Sequence, residues 1–143
     1  MNRRSFFTWM GIGWLSSMLP AVLAACTSKF KRLESKPRPD GFQPVGSVAE
    51  LEQLPGKIQV QLGSTPVVVI RNPSQSGVLM ALNPTCPHAS CKVEWQKDNN
   101  KFACPCHGSE FDSSGKVIQG PAGRPLINYP VKVEDQTILV KLG

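Results

Sequence analysis

Two six-residue segments constrain this chain more than any other feature. They are Cys86-Pro87-His88-Ala89-Ser90-Cys91 and Cys104-Pro105-Cys106-His107-Gly108-Ser109, and they hold both histidines and four of the five cysteines. Thiolate sulfur and imidazole nitrogen are metal donors, so the coincidence points to a metal centre shared by two loops. The pattern reads C-x-H, a gap of 15 residues, then C-x-x-H. Structural zinc loops are usually built from C-x-x-C or H-x₃₋₅-H pairs, which leaves zinc as the weaker alternative. Any fold for this chain must bring residues 86–91 against residues 104–109.

The flanking sequence predicts how. "KIQVQL" (57–62) alternates apolar and polar residues as a half-buried strand does. "TPVVVIR" (65–71) is a β-branched run short enough for a strand buried on both faces. "GVLMALN" (77–83) leads into the first loop and "KFAC" (101–104) into the second. Further strands are expected in "GKVIQG" (115–120), "LINYPVKVE" (126–134) and "TILVKL" (137–142), the last two joined by a tight Asp-Gln turn. Only "VAELEQL" (48–54) looks helical. The expected fold class is all-β, an antiparallel sandwich with the cysteine-bearing loops at strand ends.

The net charge of +6 would suit a nucleic-acid partner if it lay on the folded part. It does not. From Gly41 onward nine basic residues face eight acids, so no nucleic-acid partner is expected. The excess lies in Arg3, Arg4 and the stretch 27–40. "MNRRSFFTWM" resembles a twin-arginine export signal, with an ordinary basic leader as the plainer alternative. The apolar run Trp9–Ala25 is 17 residues, about 26 Å as a helix, short against a core of about 30 Å, and Pro20 interrupts it. It ends "LAAC", similar to a lipobox, so cleavage, lipidation at Cys26 and a retained anchor all stay open. The expected organisation is a leader over 1–25, a basic proline-rich tether over 26–44 and a folded domain over 45–143. The tether would hold that domain against a membrane on the exported side, periplasm or thylakoid lumen.

The motif around residues 84–125 resembles the Rieske iron–sulfur proteins of quinol-oxidising cytochrome bc-type complexes, which include plastoquinol–plastocyanin reductase. The likeness extends over about residues 57–142. It implies one [2Fe–2S] cluster, with Cys86 and Cys104 on one iron and His88 and His107 on the other. It also implies a disulfide between Cys91 and Cys106, with two free buried thiols as the plainer alternative. An oxidising compartment would suit such a bond. Gly120 and Pro121, in "GPAGRPL", correspond to a loop that covers the cluster, and Ser109 to a serine that donates to a bridging sulfide. Two residues on, high-potential relatives carry tyrosine. Phe111 keeps the ring and lacks the donor, which implies an alternative form of moderately lowered potential.

The resemblance further implies a subunit rather than a complete enzyme. It would take electrons from quinol at His107 and work beside cytochrome b-type and c-type subunits or a soluble acceptor. The competing reading is a stand-alone carrier or the small subunit of another exported oxidoreductase, such as arsenite oxidase.

Overall fold

The computed structural model describes residues 31–33, 36–53 and 56–143. The leader, its arginine pair and Cys26 lie outside the described residues. Among the described residues twelve strands form three sheets, and the one α-helix is five residues long. Strands β1 (Lys31–Leu33), β3 (Lys57–Leu62), β4 (Thr65–Arg71), β5 (Leu79–Leu82) and β10 (Asn128–Tyr129) make the first sheet, in the order β1-β3-β4-β5-β10. β11 (Val131–Glu134), β12 (Thr137–Lys141) and β2 (Phe42–Ser47) make the second, in that order. β6 (Glu94–Gln96), β7 (Lys101–Ala103), β8 (Glu110–Asp112) and β9 (Val117–Gln119) form a meander. All pairings are antiparallel except β1 with β3, so the all-β antiparallel expectation holds.

Alternation decides what each strand covers. Ile58, Val60 and Leu62 of β3 are buried while Lys57, Gln59 and Gln61 are only half-buried, as the period of two predicts. β4 is buried on both faces: Val67 and Val69 join one core, Val68 and Ile70 another. The first core lies between the first two sheets and is closed by Ile138 and Val140 of β12 and by Leu51 of helix α1 (Val48–Glu52). Ser47 caps α1, its Oγ accepting from the Glu50 N–H at 3.1 Å. The second core packs the meander onto the opposite face of β4 and β5, with Trp95, Phe102, Phe111 and Leu126 as its large members.

Part of the stretch expected to be tether is in strands. β2 begins at Phe42 and pairs along β12, and Lys31–Leu33 lies parallel to Val60–Leu62. Between them, Arg38 and Asp40 join an exposed ion-pair network with Lys132 and Glu134 of β11. Arg38 meets Glu134 at 2.7 Å, Lys132 meets Glu134 at 2.7 Å and Asp40 at 3.0 Å. The Lys132 ammonium also stands over the Phe42 ring, 4.1 Å from its centre. The Asp-Gln turn is as expected, with Asp135 and Gln136 both at positive φ between β11 and β12.

Candidate metal centre

The second core ends in three loops, 84–91, 104–109 and 119–127, and all the cofactor residues expected from the sequence except Phe111 lie on them. The first two loops have the same backbone. The Cys86 N–H donates to the Cys91 carbonyl (2.7 Å), and the Ser90 N–H donates back to the Cys86 carbonyl (2.8 Å). In the second loop the Cys104 N–H donates to the Ser109 carbonyl (2.8 Å), and the Gly108 N–H to the Cys104 carbonyl (3.1 Å). Each loop thus wraps round its first cysteine through the residues four and five positions on. The fourth-on residue needs positive φ, 58° at Ser90 and 74° at Gly108. Glycine meets that demand without strain and serine does not.

The wrapping sets what each side chain faces. Cys86 and Cys104 are free thiols, 1% and 3% exposed, turned into the second core. His88 and His107 are exposed, their ring centres 4.8 Å apart and their planes at 83°. In backbone register His88 corresponds to Cys106 and His107 to Ala89, so the two histidines are offset by one residue. That offset accounts for C-x-H in one loop and C-x-x-H in the other.

Cys91 and Cys106 are joined in a disulfide that ties the end of the first loop to the middle of the second. The sulfurs of Cys91, Cys104 and Cys106 lie within 4.8 Å of one another. Two of those three are bonded to each other, so of the three only Cys104 keeps a free sulfur for a metal. Two buried thiols beneath two exposed imidazoles, a sulfur side and a nitrogen side, suit a binuclear iron centre in which each iron takes one pair.

Supporting contacts come from the third loop and from the meander. Ser109 is fully buried, and its Oγ accepts from the Ala122 N–H at 3.0 Å. Its hydroxyl hydrogen remains available to donate. Gly120 and Pro121, linked by a cis peptide, are exposed, and Ala122 is the buried residue of that loop. Phe111 is 0% exposed in β8, opposite Phe102 of β7, which packs on Trp95 with ring centres 4.8 Å apart.

Sequence reasoning did not reach Gln119, whose Nε2 donates to the Gly108 carbonyl at 3.2 Å and braces the second loop. No local signal marks it. Nor did it reach Gly115, whose φ of 84° closes the β8–β9 turn. A Cβ there would stand 2.7 Å from Leu82 Cδ2. Asp112 holds the same turn, its Oδ1 accepting from Ser114 Oγ (2.6 Å), the Ser114 N–H (2.8 Å) and the Lys116 N–H (3.0 Å). Partial burial pushes the Asp112 carboxyl up, but these donors outweigh it and hold the group below its ordinary range.

Comparison with known proteins finds a family match that spans both loops. The Rieske [2Fe–2S] domain family matches residues 41–130. The cytochrome b6-f complex iron-sulfur subunit of Chlorobaculum tepidum is 37% identical over 99 residues, 69% of this chain and 52% of that protein. Its counterpart in Prochlorococcus marinus is 42% identical over 80 residues, 56% of this chain and 45% of that one. The chain therefore spans about half the length of these curated relatives. Among solved structures, the cyanobacterial plasma membrane Rieske protein PetC3 from Synechocystis is similar over 70% of this chain and 99% of its own, with TM-score 0.65 and 45% identity. The ferredoxin of a carbazole 1,9a-dioxygenase shares the fold, with TM-score 0.58 at 22% identity over 70% of this chain and 96% of its own.

Proposed function

The chain belongs to the Rieske [2Fe–2S] domain family, and on that premise we propose that it is a membrane-tethered one-electron carrier. It takes electrons from a quinol and passes them to a cytochrome-type acceptor, within a cytochrome bc-type complex. The observation that carries the reading is the pair of matched loops, with two buried free thiols beneath two exposed imidazoles. The chain carries one [2Fe–2S] cluster of the Rieske type, which supplies one-electron oxidation and reduction when bound.

Cys86 and Cys104 would hold one iron as thiolates, and His88 and His107 the other as neutral imidazoles. Burial of the two cysteines keeps water from the sulfur side of the site, while exposure of the histidines gives a substrate direct access to a ring edge. With iron on one ring nitrogen, the other can accept only without its own proton; in that form His107 would take the hydrogen bond of a quinol hydroxyl and then its proton, so that electron and proton leave the substrate together. Ser109 and Gln119 fix the second loop, and the disulfide fixes the loops to each other, so His107 is held in place by contacts on both sides. The quinol pocket itself needs a partner of the cytochrome b type, and the leader and tether hold the domain near the membrane.

Replacing the phenol of high-potential relatives by Phe111 favours a second reading, the small subunit of another exported oxidoreductase. Copurification separates the two: cytochromes b and c support the first, a molybdenum subunit the second. The central test is potentiometric titration with electron paramagnetic resonance on the membrane-bound protein. The expected result is a Rieske-type signal titrating with one electron, lost in Cys104→Ser and in His107→Ala. Purified protein holding zinc without iron or acid-labile sulfide overturns the proposal.

A further inference from the structure

The disulfide lies beside a third sulfur. Cys91, Cys104 and Cys106 place their Sγ atoms within 4.8 Å of one another, and the bond joins the first to the last. Cys104 is the free member. Cys86 is also a free thiol, but among the described residues it does not belong to that group. The two buried thiols of the site are therefore unequal: one stands against a disulfide and the other does not.

A thiolate next to a disulfide is a nucleophile beside its electrophile. The two ends of the bond are not equal targets. Attack at Cys91 expels Cys106, which is exposed, so the departing thiolate is solvated at once. Attack at Cys106 expels the half-buried Cys91 and leaves a bond between neighbours separated only by Pro105, whose ring fixes the backbone between them. The first route is favoured. Its product ties the same two loops over almost the same stretch, Cys91 to Cys104 in place of the 15-residue separation, so loop-closure entropy hardly distinguishes the isomers.

We propose that Cys104 exchanges into the disulfide whenever the chain is oxidised without its cluster. The Cys104 thiol gives its proton to water and its sulfur bonds to Cys91 Sγ. The Cys91–Cys106 bond breaks, and its electron pair leaves on Cys106, which takes up a proton from water. One S–S bond forms and one breaks, so no outside oxidant or reductant is needed. The product keeps the loops tied but leaves Cys86 as the one free thiol of the ligand pair, and each exchanged chain is barred from loading until the bond reverses. With its sulfur on iron, Cys104 has no thiolate to attack with, and the native bond persists. The inference goes beyond the electron-carrier reading and rests only on the cluster's being held through Cys104.

The test starts from full-length protein purified with its cluster, half of it then stripped of iron by a chelator under argon in mildly alkaline buffer. Samples taken over a day are denatured in excess N-ethylmaleimide, and the labelled cysteines are mapped by fragment mass spectrometry. At the start the label sits on Cys86 and Cys104. In the stripped half the Cys104 label falls about twofold, as two near-equal isomers require, on the order of minutes to hours. The Cys106 label rises to match, and Cys86 is unchanged. The loaded half shows no label on Cys106. In Cys104→Ser, followed without a cluster, Cys106 stays unlabelled, which separates Cys104 from Cys86 and Cys26 as the attacker. An unlabelled Cys106 in the stripped protein, a labelled one in Cys104→Ser, or Cys86 losing label alongside Cys104 overturns the inference. Iron and acid-labile sulfide are assayed before the chelator is added; their absence there overturns the electron-carrier reading instead, which keeps the two failures distinct.

Discussion

Strand β4 turns Val67 and Val69 towards one core and Val68 and Ile70 towards the other, and the two cores are unlike. The fully buried members of the base core are all aliphatic, and it sits between strands of up to seven residues. The tip core contains Trp95, Phe102, Phe111 and two cysteines, and its meander strands are three residues each. Long alternating strands hold the base by burial spread over many β-branched side chains. Short strands cannot do this, so the tip relies on a few large rings and on fixed points: the disulfide, the Asp112 turn, the Ser109–Ala122 bond and two residues at positive φ. A metal centre needs its donors in one arrangement, and local ties of this kind deliver that where diffuse packing would not.

If the tip is held by fixed points, cutting one should matter more there than anywhere in the base. The largest effect expected is from the disulfide. Replacing Cys91 and Cys106 by serine opens a loop of 15 residues, worth about 3 kcal/mol in the chain-entropy model. Amide exchange should show the loss at 84–91 and 104–109 with β3 and β4 unchanged; equal loss in both regions would break the contrast. Next is the matched pair of left-handed positions. Gly108→Ala has open space around the new Cβ, so its cost is backbone strain alone, about 1 kcal/mol. Ser90→Gly, at the equivalent place, should cost little or stabilise slightly in denaturant titration. A destabilisation by Ser90→Gly as large as that from Gly108→Ala would mean the loops are not equivalent.

A smaller effect concerns the ring in the tip core. Phe111→Tyr adds one donor; if it favours the reduced centre by about 1 kcal/mol, the midpoint rises by roughly 40 mV. The family spans about −150 to +300 mV, so this change sharpens the potential without relocating it. An unchanged or lower midpoint in a redox titration would count against the donor idea.

The smallest effect lies in the base and depends on pH. Bonds from Lys132 and then Arg38 hold the Glu134 carboxyl below its ordinary range, and Lys132 with the Phe42 N–H does the same for Asp40. A depressed carboxylate stabilises the fold above its unfolded pKa and loses that contribution as pH falls through the folded value. Glu134, then Asp40, raise Lys132, and Glu134 raises Arg38, so their share persists at neutral pH and disappears only in strong alkali. Acidification below the ordinary carboxylate range should therefore speed exchange at Gly41 and Phe42. The Asp112 turn in the tip should loosen over a similar range. High salt at neutral pH separates them, because it screens the exposed network and leaves the hydrogen-bonded turn.

Much of this was legible in the residues. Period-two alternation located β3, the continuous β-branched run located doubly buried β4, and the donor spacing located both loops before any pairing was known. β6 and β8 were missed because "EWQ" and "EFD" are too short to show a period. β2 was read partly as tether because Pro44 and Gly46 look like linker residues; β12 accepts them in an edge strand that bulges at Val45 between them.

By itself the sequence determined the donor set, the class of fold and the strands that carry the loops, since each depends on residue type and local spacing. Tertiary structure alone decided that the two loops share one backbone with histidines offset by a residue, and that Gln119 braces the second loop. It also decided that Arg124 and Cys86 line one groove. Those facts join segments 11 to 38 residues apart, and neighbours in sequence carry no record of which distant segment will fold against them.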